Sequence, residues 1–250
     1  MKKRLLFLMT FFTVSLLALA EMTIYVYKKD GTKVPYLAAT VDSIGFVENS
    51  NEVHEWVDLG LPSGTLWATC NVGAETPEEC GYYFAWGEVM TKSIYNWSTY
   101  RWCYGTDKYM TKYCTISSCG LVDNKTNLEL LDDAAYLNWG TDWRIPTRTE
   151  LEELIYASYT TQLWTTHNGV KGIEITSKIN GNSIFLPATG YIDDSGVLVD
   201  VGSNGNYWSS SSVSTDNSSN AWRLSFNQAS ANLYTCIRCR GLSVRPVLVK

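Results

Sequence analysis

Short strand-like segments separated by turn sequences dominate the chain after residue 170. Ile173-Glu-Ile-Thr-Ser177 and Ser183-Ile-Phe-Leu-Pro187 alternate apolar and polar residues, as half-buried strands do. Asp193-Asp-Ser-Gly196 and Gly202-Ser-Asn-Gly205 have the composition of turns. Further strands are expected at 221–226 and 242–249. This part of the chain is therefore predicted to form antiparallel strands joined by polar loops.

Two helices are predicted before those strands. Leu128 to Trp139 places apolar residues at spacings of three and four, which is typical of a short amphipathic helix. Thr147-Arg-Thr-Glu150 has the pattern of a capping box, and an apolar stripe that includes Leu151 and Leu154 follows it. Helices followed by antiparallel strands predict an α+β fold.

The first 20 residues have the pattern of a secretory signal peptide. Met1-Lys-Lys-Arg4 precedes an uncharged run that ends in Ala18-Leu-Ala20, a small-residue cleavage pattern. Residues 21–52 are predicted to form a small β-hairpin unit around Asp30-Gly31 and a polar linker. Residues 53–250 are predicted to form one domain. We expect a protein exported to the periplasm, cell surface or medium, with no membrane span after signal cleavage.

Charge and aromatic content narrow the class of partner. The first 20 residues hold three of the 20 Lys and Arg residues and none of the 25 acids, so the remainder has a net charge of −8. That charge argues against nucleic acid as a partner. The 10 Trp and 16 Tyr residues suit sugar faces and protein interfaces, because their rings combine an apolar face with a polar tip.

The sequence shows no complete set of catalytic or metal-binding residues. His54 and His167 lie in predicted loops outside any ligand motif, and we expect both to be solvated. Asp193, Asp194 and Asp200 supply oxygens that could hold calcium, although Asp-Asp-Ser-Gly is also an ordinary turn. The prediction is a protein that is not an enzyme and needs no cofactor.

Seven cysteines follow the predicted signal peptide, and their pairing cannot be read from their spacing. The odd number leaves at least one thiol outside intramolecular disulfides. Cys236 and Cys239 form a Cys-x-x-Cys pair among arginines, which could favour thiolate chemistry. A strand would direct these two side chains to opposite faces, whereas a turn could bring them together. Redox chemistry, metal binding and a structural role all stay open at this point.

Several motifs occur in order between residues 53 and 248. They are Val57-Asp-Leu-Gly-Leu-Pro-Ser-Gly-Thr-Leu-Trp-Ala68, Tyr83-Phe-Ala-Trp-Gly-Glu88, Asn138-Trp-Gly140, Trp143-Arg-Ile-Pro-Thr-Arg-Thr-Glu150, Gly181-Asn-Ser-Ile-Phe-Leu-Pro-Ala-Thr-Gly-Tyr191, Tyr207-Trp-Ser-Ser-Ser211 and Ser243-Val-Arg-Pro-Val247. Together they resemble the Fibrobacter major paralogous domain family of Bacteroides-type bacteria. The resemblance implies a C-type-lectin-like fold, akin to that of formylglycine-generating, sulfatase-modifying proteins.

The resemblance carries two further implications for the late cysteines. Formylglycine-generating relatives hold copper on two late cysteines, which implies a copper- or thiol-dependent oxidase that uses Cys236 and Cys239 as the alternative function. Other relatives display surfaces diversified by retroelements. Segments 211–220 and 232–240 are rich in residues that adenine changes in an asparagine codon can produce. On that interpretation both cysteines are outcomes at surface positions; the alternative is an ordinary polar loop.

The leading hypothesis is an exported, non-catalytic binding module. Its ligand would be a glycan or a protein, held by the loops between residues 203 and 240. Trp222, Arg223, Tyr234 and Arg238 are the predicted ligand-binding residues, because aromatic and arginine side chains dominate binding energy at interfaces. Trp143 and Trp208 are predicted to lie in the core.

Overall fold

A computed structural model describes residues 23–27, 32–37, 54–214 and 218–248. The chain divides into two compact units, residues 1–48 and 49–250. The predicted signal peptide, the turn at Asp30-Gly31 and the predicted linker lie outside the described residues. In the first unit, β1 (Thr23–Tyr27) pairs with β2 (Lys33–Leu37) in an antiparallel ladder. The Lys33 ammonium lies 3.5 Å from the ring centre of Tyr25.

The described part of the second unit consists of four sheets and two short α-helices. The helices are α1 (Ala134–Trp139) and α2 (Arg148–Ile155). The strands are β3 (Trp56–Asp58), β4 (Leu66–Ala68), β5 (Tyr83–Phe84), β6 (Trp143–Arg144), β7 (Thr160–His167), β8 (Val170–Ser177), β9 (Ser183–Pro187), β10 (Thr189–Ile192), β11 (Leu198–Val201), β12 (Gly205–Ser212), β13 (Asn220–Phe226), β14 (Ala231–Ile237), β15 (Leu242–Ser243) and β16 (Val247–Leu248). Single 3₁₀ turns form at Ser117–Cys119 and Leu130–Asp132.

The predicted α+β class is wrong, because strands provide most of the regular structure and the helices have only six and eight residues. A C-type-lectin-like fold is likewise not shown. The error lies partly in the first helix, which starts at Ala134 instead of Leu128. Asp133 caps it by accepting hydrogen bonds from the N–H groups of Ala135 and Tyr136, while the preceding residues form a 3₁₀ turn.

The capping box predicted for the second helix is confirmed. The Thr147 hydroxyl accepts the N–H of Glu150 at 3.3 Å, and the Glu150 carboxylate accepts the N–H of Thr147 at 2.7 Å. Glu150 also forms a bidentate pair with Arg144 at 2.5 and 2.7 Å. Leu151 is buried on the inner face of the helix. The helix is therefore fixed at its first turn and along its apolar stripe.

The largest sheet has the strand order β14-β13-β12-β15-β5, and only its β12–β15 pair is parallel. One face carries Tyr207, Leu224 and Phe226, which join Leu151 and Leu154 of α2 in one apolar cluster. The other three sheets have the orders β3-β4-β16-β6, β7-β8-β9 and β10-β11. Trp143 and Trp208 are buried in a second cluster, which confirms their predicted place in the core.

No helix in the described ranges combines the length and apolar character that crossing a membrane requires.

Candidate functional site

An open groove of about 790 Å³ is formed by residues 54–55, 69–70, 72–75, 77, 82 and 138–139 of the second unit. We refer to it as the aromatic groove. Its aromatic side chains are His54, Trp139 and Tyr82, and its acidic side chains are Glu55 and Glu75. The volume lies within the range of about 300–1,000 Å³ that is usual for small-ligand sites.

One wall of the groove is a stack of His54 on Trp139. The two ring centres are 3.7 Å apart and the rings are 10° from parallel. The buried indole of Trp143 meets Trp139 edge-on at 5.1 Å and His54 at 6.0 Å. Trp139 is the last residue of α1. The prediction of a solvated loop histidine is therefore wrong for His54, which is half-buried in this stack.

The base of this stack is fixed by a buried carboxylate. Asp133 accepts the N–H groups of Ala135 and Tyr136 at the start of α1 and the N–H of Ile145 at 2.8 Å. Burial raises the pKa of the Asp133 carboxyl to about 6. The contacts of Asp133 connect α1 to the segment that follows Trp143, so both ends of the aromatic cluster are held by one side chain.

Tyr82 is the second aromatic platform, and its side chain is 53 % exposed. Its N–H donates to Val72 O at 2.8 Å. A Cβ atom at Gly73, where φ is +79°, would lie 2.3 Å from the Tyr82 ring, so the ring rests directly on glycine backbone. Gly81 has φ of +68°, and a Cβ there would lie 2.3 Å from Val72 O. Both glycines permit the close approach that places the ring.

Negative charge dominates the groove. Glu55 and Glu75 are exposed, and none of the described lining residues is Lys or Arg. The N–H of Glu75 donates to the carboxylate of Glu79 at 2.7 Å, which adds an acid beside the groove. Arg245 lies beneath the floor, where it is fully buried and donates to Thr69 O at 2.6 Å.

Asn138 and Cys70 complete the polar lining. The Asn138 amide donates one hydrogen bond to Val89 O and one to Ala134 O, so it can offer a ligand only its oxygen. The Cys70 thiol is half-buried and lies 3.6 Å from the Thr69 hydroxyl. The groove thus presents aromatic faces and hydrogen-bond acceptors.

The four residues predicted to bind ligand do not form one surface. Arg223 and Tyr234 are register partners on β13 and β14, whereas Trp222 faces the other side of the sheet because strand side chains alternate. The Arg148 guanidinium of α2 covers Trp222 at 3.8 Å. Arg223 donates to the Asn206 side-chain oxygen, and Tyr234 is 51 % exposed.

Arg238 is fully buried, which contradicts its prediction as a ligand-binding residue. Its guanidinium donates to Tyr113 O at 2.8 Å and to the carbonyl oxygens of Lys112 and Asn220 at 3.3 Å. It also lies 4.5 Å from the ring centre of Trp86. These contacts join β14 to the segment around Tyr113, so Arg238 has a structural role.

Cys236 and Cys239 are also buried, with 4 % and 0 % exposure. Their interpretation as diversified surface positions is therefore wrong. Cys236 lies opposite Ala221 in the sheet and faces an apolar cluster. Burial raises the pKa of both thiols, that of Cys239 to about 12. All seven cysteines are free thiols in this structure.

Asp193 and Asp194, which were candidates for calcium binding, and His167, which was predicted to be a solvated loop residue, instead make contacts within the protein. The Asp193 carboxylate accepts the N–H groups of Ser195 and Val197 at 2.9 and 3.0 Å, as in an Asx turn. Asp194 accepts a hydrogen bond from Arg240 at 3.2 Å. His167 stacks on Phe185 at 4.3 Å, so it too is not a solvated loop residue. Within the described ranges, no three His, Cys, Asp or Glu side chains are grouped to hold a metal ion.

The family model described as the Lcl C-terminal domain matches residues 61–248. The chain belongs to the Lcl C-terminal domain family. The match includes Tyr82, Trp139 and Glu75 of the aromatic groove, whereas His54 and Glu55 precede it. Neither the curated proteins nor the solved structures give a match to this Lcl C-terminal domain.

Sequence reasoning missed the aromatic groove of the Lcl C-terminal domain. One signal was present, because Asn138-Trp-Gly140 stands out as a separate motif immediately after an amphipathic pattern. Nothing in the sequence pairs that motif with His54, since the two segments are far apart along the chain and meet only through the fold.

Proposed function

We propose that this Lcl C-terminal domain is the ligand-binding part of an exported, non-catalytic protein, and that a glycan binds in the aromatic groove. The observation that carries this proposal is the His54–Trp139 stack, which lines a groove of about 790 Å³ together with an exposed tyrosine and two carboxylates. A protein ligand is the alternative for the same surface.

The chemistry of the groove suits a sugar. A pyranose ring has an apolar face of C–H groups and a rim of hydroxyl groups. The Trp139 ring, one face of which His54 covers, and the exposed Tyr82 ring offer flat apolar contact, and the side-chain oxygens of Glu55, Glu75 and Asn138 can accept hydroxyl hydrogen bonds. Ligand sites generally combine a mostly apolar wall with a few polar groups that set orientation.

The burial of Cys236 and Cys239 gives no support to the alternative function, an oxidase that uses these thiols. A copper- or thiol-dependent mechanism requires thiolates, which form readily where neighbouring charges lower a thiol pKa. Burial instead raises the pKa of Cys236 and that of Cys239. A binding function needs no such group, so we propose a protein without catalytic activity.

The proposal also retains the finer features expected from the sequence. Residues 1–20 are proposed to direct export. Within the Lcl C-terminal domain family, we propose that the chain belongs to the Fibrobacter major paralogous domain group of Bacteroides-type bacteria. Of the predicted ligand-binding residues, Tyr234 remains a candidate for a second contact surface, because it is exposed on the edge strand β14. Nucleic acid is not expected as a partner of so acidic a chain.

A glycan panel probed with three variants tests this proposal. We expect Trp139→Ala to weaken binding by about tenfold or more, the loss typical of a central aromatic contact, and Tyr82→Ala to weaken it too. Tyr234→Ala tests the competing surface on β14 and should leave binding in the groove unchanged. Circular dichroism checks that each variant folds.

The same panel distinguishes the competing sites. Binding that is lost in Tyr234→Ala but kept in Trp139→Ala would move the site to the edge strand and overturn the groove. Binding that chelator abolishes would move it to a calcium site. Copper binding by the thiols of folded protein would favour the oxidase instead.

A further inference from the structure

The charge of the aromatic groove limits which glycan can occupy it. Glu55 and Glu75 line the groove, and the carboxylates of Glu78 and Glu79 lie on the same loop. Within the described residues, neither Glu55 nor Glu75 forms an ion pair. A ligand that enters the groove therefore meets negative charge that no side chain in the described ranges neutralises.

The buried cation of Arg245, beneath the groove floor, does not reverse this charge. Arg245 directs its guanidinium at the oxygen atoms of Ala68, Thr69, Asn71 and Phe185. Desolvation lowers the pKa of Arg245, and the side chain has no exposed surface to present to a ligand. Sulfated and carboxylated glycans would thus face two carboxylates and, among the lining residues that the structure describes, no Lys or Arg side chain.

The aromatic faces add attraction for positive charge. Electron-rich faces of Trp and Tyr attract ammonium groups by cation–π interaction. Trp139 and Tyr82 both line the groove beside the carboxylates. The same rings that would stack on a sugar therefore also favour a sugar that carries an amine.

We propose that the aromatic groove selects glycans that carry free amino groups, with the sugar stacked on Trp139 and its ammonium paired with Glu55 or Glu75. This inference rests on the proposed glycan-binding function and specifies its ligand class. The stacked pair supplies the platform, and the unpaired carboxylates supply the selectivity. Positively charged side chains of a protein share the ammonium chemistry, and the test below separates them.

Calorimetry with two matched tetrasaccharides tests the inference. One probe is a β-1,4-linked tetramer of glucosamine, and the other is its fully N-acetylated form, which has the same backbone without the charge. The chain lacking only the predicted signal peptide is titrated at about pH 6, where a sugar amine is protonated. We expect the glucosamine tetramer to bind at least about fivefold more tightly, as one or two partly exposed ion pairs allow. Added salt should reduce this preference.

Charge-neutral variants locate the selectivity. Glu55→Gln and Glu75→Gln together should bring the two tetramers to equal affinity, while Trp139→Ala should weaken both. Asp107→Asn removes one charge from an exposed position outside the groove and should leave the preference unchanged.

The possible failures are distinguishable. Equal or tighter binding of the N-acetylated tetramer, or tighter binding of a sulfated glycan, would overturn the amine selectivity and leave glycan binding in place. Tetralysine is the probe for a protein ligand. If it binds more tightly than the glucosamine tetramer and neither sugar displaces it, the ligand is a basic protein segment and not a glycan. Absence of binding to any tetramer, with Trp139→Ala indistinguishable from the unchanged chain, would overturn both proposals.

Discussion

Two buried arginines explain why the late motifs of this chain are rich in that residue. Arg245 of the Ser-Val-Arg-Pro-Val motif and Arg238 both donate hydrogen bonds to carbonyl oxygens of distant segments. A guanidinium offers five donors in a fixed plane, so one side chain can satisfy several buried acceptors at once. Arg238 and Arg245 therefore hold separate backbone segments together. Of the arginines in this chain, only an exposed one would be a candidate for ligand binding.

Arg245→Met should strongly destabilise the domain. The substitution keeps much of the side-chain volume but leaves the oxygen atoms of Ala68, Thr69, Asn71 and Phe185 without their donor. Leaving one buried acceptor without a donor typically costs about 1–3 kcal/mol, so the loss of four such hydrogen-bond partners should cost about 3 kcal/mol or more. Urea unfolding measures the loss. Arg148→Met is the control on the exposed side of α2 and should cost less than about 1 kcal/mol. Equal losses would show that burial of Arg245 is not what matters.

Asp133 gives the domain a predictable pH dependence. Burial raises the pKa of this carboxyl to about 6 in the folded protein, against about 4 when the chain is unfolded. Between these values the folded state holds the proton more tightly, so the contribution of Asp133 to stability is full below about pH 4 and is lost as the pH rises through about 6. The loss amounts to about 2–3 kcal/mol at 1.36 kcal/mol per pKa unit.

Asp133→Asn isolates that contribution. Asparagine is a good N-cap and keeps an acceptor for Ala135 and Tyr136, but it does not ionise. We expect the unfolding free energy of the unchanged protein, minus that of Asp133→Asn, to fall by about 2–3 kcal/mol from pH 4 to pH 7, as measured by urea unfolding at each pH. A difference that grows with pH would mean that the three N–H donors outweigh burial and lower the pKa of the carboxyl.

At the scale of single elements, sequence signals were reliable where they were local. The capping box fixes the start of α2 because Thr147 and Glu150 satisfy each other's backbone N–H groups within one turn. The apolar spacing from Leu128 misled, because Asp133 caps the helix and leaves Leu131 exposed before it. Periodicity reports which residues could share a face, and it does not report where a competing cap will start the helix.

The α2 cap is expected to contribute measurably to stability. Thr147→Ala removes the hydroxyl that accepts the Glu150 N–H, which should cost about 1 kcal/mol of unfolding free energy. Thr147→Ser should restore most of it. Thr149→Ala, two residues further along and exposed, should be neutral or slightly stabilising because alanine has the higher helix propensity. Chemical denaturation of the three variants measures these differences; a Thr149 loss as large as that of Thr147 would argue against the cap.

Long-range pairing explains what sequence reasoning did not find. Trp222 and Tyr234 seemed to belong to one late surface, yet strand alternation directs them to opposite faces of the sheet. The His54–Trp139 stack joins a residue ahead of β3 to the end of α1. Neither arrangement leaves a local pattern, because each depends on which strands and helices become neighbours in the folded chain.

At the scale of the whole molecule, β15 and β16 pair with strands that lie far from them in the sequence. Leu242 and Ser243 of β15 pair with β5 and, in parallel, with β12. Val247 of β16 then pairs with both β4 and β6. Arg245 lies between these two strands and donates to the segment that forms the groove floor. The aromatic groove, whose lining residues all precede residue 140, therefore rests on β15 and β16 and on Arg245 between them.

Truncation before β15 should abolish folding of the second unit. A chain ending at Gly241 leaves β12 and β5 without their shared partner, separates β4 from β6, and removes Arg245 from beneath the groove. Because the removed residues Leu242, Val244 and Val247 are fully buried, their loss opens the core, and we expect a collapsed state without fixed tertiary structure rather than a slightly less stable domain. Near-ultraviolet circular dichroism and hydrogen exchange measure this. A chain ending at Leu248 is the control, since it keeps both strands, and it should unfold cooperatively. Protected amides in β12 and β13 of the shorter chain would show that these strands form without β15. The residues after Gly241 would then be needed only for the groove.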